Sequence, residues 1–257
     1  MSENARNRRD HMTRRYSLLD GVRGLTVLSM IAYHFSFDWF IIQGFDPAWR
    51  SIPAVHIWQQ SICWTFLLLA GVSFHLGHHH WRNGIVISLW GLAVTAVTVL
   101  AEPEEAIWYG VLTCHGACLL LAAASENIWK RIPALPGGLV SFALFALTYD
   151  VQMGLIRVLG VTLCRLPASW YGSGWLTIAG FPAPGFVSSD YFPLLPWFFL
   201  YLTGVFLGSI LLKKPPEVLW RKIPVLDWIG RHSLLLYLLH QPVGMVLTTA
   251  VAGLLRG

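Results

Sequence analysis

Apolar residues along this chain come in long unbroken blocks, not in the narrow stripes that mark a half-buried soluble helix. A helix needs roughly 20 mostly apolar residues to cross the hydrocarbon core of a bilayer. Blocks of that kind fall at 19–42, 55–76, 84–101, 107–125, 132–150, 194–212 and 230–253. The pattern predicts an all-α, polytopic transmembrane helix bundle of seven spans, forming one domain over 19–257 behind a basic tail at 1–18. The one long connection, 151–193, is expected to be a structured loop on the outer side. Its first part, 151–163, is apolar apart from Arg157 and predicts an interfacial helix or a re-entrant turn. Were it to cross the bilayer, the count would be eight and the C-terminus would change sides. Trp170 to Pro196, rich in Gly, Pro and aromatic residues, suits an ordered cap at headgroup level. The first block is too long for the apolar core of a signal peptide, so the first helix is expected to stay in the mature protein.

Composition excludes a soluble alternative. Of the 257 residues 55% are hydrophobic and only 12% charged, against about 25% charged in an ordinary soluble domain. The net charge of +5 would suggest a nucleic-acid partner if the cations were clustered, but they sit at the ends of the apolar blocks. Short cytoplasmic loops retain Lys and Arg. With the N-terminus inside, that side holds 14 of the 18 cations: Arg6, Arg8, Arg9, Arg14, Arg15, Arg23, Arg82, Lys130, Arg131, Lys213, Lys214, Arg221, Lys222 and Arg231. The other side keeps Arg50, Arg157, Arg165 and Arg256 beside the acidic turn Glu102-Pro103-Glu104-Glu105. A cytoplasmic N-terminus follows, and the partner the cations imply is the lipid bilayer, not nucleic acid. The four cysteines lack zinc-type spacing and are expected to pack as small apolar residues; no metal is expected.

Helix 1 concentrates the candidate chemistry. At 100° per residue, Asp20, Arg23, His34 and Asp38 fall within about 60° of one another, on a stripe about 27 Å long. Charged groups at such depth generally face a protein interior or a wet cavity. Asp20 and Arg23 also satisfy a plain i,i+3 pair at the helix start. His34 followed one turn later by Asp38 is the arrangement by which a carboxylate orients an imidazole base. In the last span, Tyr237 and His240 share a face, Gln241 lies beside them, and Pro242 frees a carbonyl, giving a polar kink or a hydrogen-bonded helix contact. His56, Gln59 and Gln60 enter helix 2 from the outside and are candidates for an acceptor pocket. Consecutive His78, His79 and His80 point around an axis and suit a headgroup-level loop. Trp39, Trp49, Trp58, Trp170, Trp175 and Trp197 mostly fit an interfacial aromatic belt.

The run Arg15-Tyr16-Ser17-Leu18-Leu19-Asp20-Gly21-Val22-Arg23-Gly24, followed by His34, resembles the opening motif of bacterial membrane proteins related to the heparan-alpha-glucosaminide N-acetyltransferase catalytic domain. Three later stretches are similar to that family's further motifs. They are Gly180-Phe181-Pro182-Ala183-Pro184-Gly185-Phe186, Asp190-Tyr191-Phe192-Pro193-Leu194-Leu195-Pro196-Trp197, and Gly230-Arg231-His232-Ser233 running on to Tyr237-Leu238-Leu239-His240-Gln241-Pro242. The resemblance covers nearly the whole chain. Arg23 and His34, with ten residues between them, are also similar to the Arg/Lys-x10-His motif of the wider transmembrane acyltransferase superfamily.

The resemblance implies acyl transfer from cytoplasmic acyl-CoA, acetyl-CoA first of all, to a sugar or glycan outside, in the plasma membrane of a bacterium. His34 would be general base or acyl carrier, with Asp38 orienting it. Arg23, Arg231, Lys213 and Lys214 would hold the coenzyme A phosphates. Tyr237, His240, Gln241, Trp197, Asp190, His56 and Gln60 would line the acceptor side. The same polar stripe suits a proton-coupled transporter of small solutes, and a non-catalytic membrane assembly partner is the third alternative. A homo-oligomer is compatible with all three.

Overall fold

A computed structural model of the protein describes residues 15–256; the tail cations Arg6, Arg8, Arg9 and Arg14 lie outside the described residues. The helices are α1 (Ser17–Phe37), α2 (Pro53–Ser73), α3 (His80–Ala101), α4 (Val111–Ala124), the single turn α5 (Glu126–Trp129), α6 (Ala134–Thr148), α7 (Leu194–Leu211), α8 (Pro224–Arg231) and α9 (Ser233–Arg256). With their short extensions, six helical segments are long and apolar enough to cross a membrane: Ser17–Ile42, Pro53–Leu76, His80–Ala101, Ala134–Met153, Leu194–Leu211 and Ser233–Arg256. All six correspond to expected spans. The seventh expectation, 107–125, is α4, which has only 14 residues and rises about 21 Å, short of a hydrocarbon core of about 30 Å. Sequence punctuation explains several ends. Pro53 and Pro224 open α2 and α8 at the first helical position, where a missing N–H costs nothing, and Glu102-Pro103 stops α3.

The segment 151–163 does not form the expected helix. It folds into a 3-10 turn and an antiparallel hairpin of β1 (Leu155–Val158) and β2 (Val161–Arg165), far shorter than the 9–11 residues a spanning strand needs. Leu159 and Gly160 form its two-residue turn at φ +50° and +83°, which suits the twist of a tight hairpin. β-branched Ile156, Val158, Val161 and Thr162 favour strand over helix.

The chain divides into two compact units. One comprises the residues up to Phe66 together with those from Pro215 onward; the other is Leu67–Lys214. In the first unit α1 packs on α8 and α9. Small residues let backbones touch, as membrane helices require. A Cβ on Gly24 would sit 2.1 Å from the Leu226 carbonyl oxygen, and one on Gly230 would sit 1.9 Å from that of Asp20. An apolar core of Val27, Met30, Tyr33, Trp49 and Ile62 lies beside this contact, and the Trp58 indole donates to Ser29 Oγ at 2.8 Å. Trp49 and Trp58 thus pack into the core of this unit.

In the second unit α3 pairs with α4, and α6 pairs with α7. Gly91 faces the Thr113 backbone, Gly116 faces that of Ser88, and Gly137 faces the Phe206 ring. Cys114 and Cys118 are buried, as Cys63 is in the first unit, whereas Cys164 is exposed on β2, contrary to the expectation that all four would be packed.

Candidate functional site

The polar stripe of α1 meets two different helices along its length. At its N-terminal end Asp20 is buried and bound by two guanidinium groups: Arg15 Nε at 2.5 Å and Arg23 Nη1 at 3.0 Å. One carboxylate shared by two arginines leaves that end of the helix net cationic. The partner helix here is α8, whose Asp227 is likewise buried. Asp227 Oδ2 accepts from the Ile223 N–H at 3.3 Å, closing the N-terminus of α8, while Oδ1 has no hydrogen-bond partner among the described residues and lies against Gly21. Arg231 Nε donates to the Asp227 carbonyl at 3.0 Å.

About 16 Å further along α1 the stripe faces α9. The His34 ring packs at 64° to the His240 ring with centroids 4.8 Å apart, and edge-on to Tyr33 at 5.7 Å. Neither His34 nitrogen makes a hydrogen bond among the described residues. His240 Nδ1 lies 2.6 Å from the Tyr237 carbonyl oxygen. A carbonyl cannot donate, so Nδ1 carries the proton and Nε2 of the neutral ring is an acceptor. That Nε2 is buried and without a partner among the described residues.

One turn beyond, α1 widens into a π turn, Asp38–Ile42, marked by the Gln43 N–H bonding the Asp38 carbonyl at 2.8 Å. Such turns concentrate at functional sites because they re-aim side chains without ending the helix. Asp38 is 1% exposed. Its Oδ1 accepts from Gln241 Nε2 of α9 at 2.8 Å, and its Oδ2 has no partner among the described residues. Gly244 makes room for Oδ2, since a Cβ there would lie 3.0 Å away. Gln241 Oε1 is also buried and unpartnered among the described residues. The cluster therefore joins His34 and Asp38 of α1 to His240 and Gln241 of α9 and leaves three buried acceptor atoms unsatisfied. Buried polar atoms are nearly always hydrogen-bonded, and a group of exceptions asks for a ligand or water.

This geometry departs from the expected wiring at one point. Asp38 bonds Gln241, not His34; the pair four apart on α1 is separated in role by the π turn, and the contact His34 makes is with His240. Tyr237 packs at the edge of the apolar core with its ring 5.6 Å from that of His240. In the same unit His56 is exposed on α2 and Gln60 half-buried.

The remaining candidates lie in the second unit. Asp190 Oδ2 accepts from the Val111 N–H at 3.1 Å and so satisfies a free donor at the N-terminus of α4. Burial pushes the Asp190 carboxyl up to about 6 against the lowering effect of that N–H. Trp197, expected in an aromatic belt or on the acceptor side, is 4% exposed and packs against Phe192 and Phe145. Lys213 and Lys214 are exposed just after α7. No group of three or more His, Cys, Asp or Glu among the described residues is placed to hold a metal ion.

Sequence reasoning passed over Arg15 and Asp227 as site residues. Arg15 was visible as the first residue of the opening motif. Asp227 could have been found as the lone acid of a short helix, three residues before Gly230.

Long apolar helices enclosing a paired-histidine, carboxylate and amide cluster define a polytopic integral membrane protein with a polar site within its first unit. Residues 15–242 match the family model described as heparan-alpha-glucosaminide N-acetyltransferase, catalytic, and the chain belongs to that family. No curated protein and no solved structure gives a match.

Proposed function

We propose that this protein is a membrane-embedded acyltransferase that moves an acetyl group from cytoplasmic acetyl-CoA to a sugar or glycan acceptor on the other side of the membrane. The observation that carries the reading is the set of three unsatisfied buried atoms, Asp38 Oδ2, His240 Nε2 and Gln241 Oε1, all of them hydrogen-bond acceptors when the carboxyl is ionised. Such a set is matched by a ligand rich in donors, and an amine or hydroxyl acceptor is one. Within a family described by acetyl transfer to an amino sugar, that chemistry fits.

In the transfer itself the acceptor nitrogen or oxygen attacks the thioester carbonyl carbon. The new C–N or C–O bond forms, the C–S bond breaks, and the acceptor's proton leaves with the coenzyme A thiol. Two imidazoles at the site are suited to move that proton, or one of them to carry the acetyl group in passing. At the other end of the stripe Arg15 and Arg23 share Asp20 and keep a net positive charge. Guanidinium groups are strong phosphate partners, so this end suits the nucleotide of the donor, with the pantetheine arm extending along α1 toward His34. The exposed Arg231 of the same unit would add to the attraction.

The test is transfer from radiolabelled acetyl-CoA in liposomes, with glucosamine and a panel of neutral sugars as acceptors. Wild-type protein is expected to label at least one of them, and His34→Ala to lose about 100-fold or more in rate. Undiminished transfer by the alanine variant would sink the role given to His34.

A further inference from the structure

The family motif points to His34 as the working imidazole, but the hydrogen bonds distinguish the two rings the other way. His34 is held by ring contacts with Tyr33 and His240 and has no hydrogen-bonded partner to choose its tautomer. His240 has one. Its Nδ1–H is tied at 2.6 Å to the carbonyl of Tyr237 on its own helix, which fixes the ring orientation and leaves the Nε2 lone pair buried and unused. Nε2 stays unpartnered among the described residues beside the His34 ring, and on the next residue Gln241 Oε1 is unpartnered too.

We infer that His240 is the catalytic base of the transfer, resting on the acyltransferase reading above. The acceptor's N–H or O–H proton passes to His240 Nε2 as its nitrogen or oxygen bonds the thioester carbon. The C–S bond then breaks, and His240 returns the proton to the departing thiolate. Protons and electrons balance with no further reagent. His34, edge-on to this ring, is left to bind the acyl group. The titratable groups whose rings pack against His240 are His34 of α1 and Tyr237 on its own helix, and Asp38 is held by the neighbouring Gln241.

The experiment uses the whole protein in liposomes and compares wild type with His240→Asn, whose amide N–H can keep the bond to the Tyr237 carbonyl while removing Nε2. His240→Gln is the second variant should the first not fold, and a melting temperature verifies folding in each. The expected result is a fall in kcat of about 100-fold or more with KM for acetyl-CoA changed less than about threefold. The decline in rate toward acid pH should also disappear, and added imidazole should restore part of the rate. A folded variant within about fivefold of wild type, or one whose loss keeps the acid limb and ignores imidazole, assigns His240 a structural role and overturns the inference. Wild-type protein that transfers acetyl to no acceptor overturns the underlying reading instead, and the inference with it.

Discussion

Gly230→Ala is the substitution whose cost can be worked most directly from the structure. A Cβ at 230 would lie 1.9 Å from the Asp20 carbonyl oxygen, 2.7 Å from its carbon and 3.0 Å from the Gly24 nitrogen. All three are backbone atoms of α1, so no side-chain rotation relieves the clash. To bring the closest contact out to even about 3 Å, α8 and α1 must part by roughly 1.1 Å, losing the neighbouring contact between Gly24 and the Leu226 carbonyl. Overpacking of this kind costs about 1–3 kcal/mol. For a chain of this size that is roughly 2–12 °C in Tm. Gly253→Ala is the control: nothing lies within 4 Å of a Cβ there, the position is exposed on α9, and alanine is the better helix former. It should gain about 0.5–1 kcal/mol, a rise of about 1–4 °C. Thermal unfolding of detergent-purified protein measures both. Gly230→Ala within 1 °C of wild type, or the two variants moving in the same direction, would refute the close α1–α8 approach.

Three further outcomes are expected. Gln241→Leu leaves the buried Asp38 carboxylate without its amide partner and should cost about 1.5–3 kcal/mol, seen as a lower Tm. The double variant Asp38→Leu with Gln241→Leu should be more stable than that single one, because it leaves no orphaned charge. Asp190→Ala should lower Tm by removing a helix cap worth about 1 kcal/mol, yet leave acetyl transfer within a fewfold of wild type, since its carboxylate is engaged by Val111. The pH dependence of that group has a definite sign. Its folded pKa of about 6 stands above the ordinary 3.8, so the folded protein binds more protons between those values, and its contribution to stability declines as pH rises through that window. Asp190→Asn should flatten that part of a Tm-against-pH curve; an unchanged slope would mean that the carboxyl is not buried as described.

The membrane class and six of the spans follow from the chain's own pattern, because a bilayer demands length and apolarity that nothing else in a protein needs. The polar stripe of α1 follows from helical period alone, and the family from motifs spread across the chain. What the pattern left undecided depends on partners distant in sequence. Asp38 and Gln241, 203 positions apart, carry no signal that their side chains meet, and a carboxylate one turn from a histidine looks like its orienting partner until the π turn sends it to α9. The same holds for Asp190, which reads as a site residue by motif and becomes a cap only once α4 begins at Val111. Hydropathy also cannot separate a short helix from a hairpin in an apolar stretch; at 151–163 β-branching and the Leu159-Gly160 turn decided it. Sequence determined the elements and the chemistry available to them, and the helix contacts, made possible by glycines that admit a backbone to within van der Waals reach, decided which groups work together.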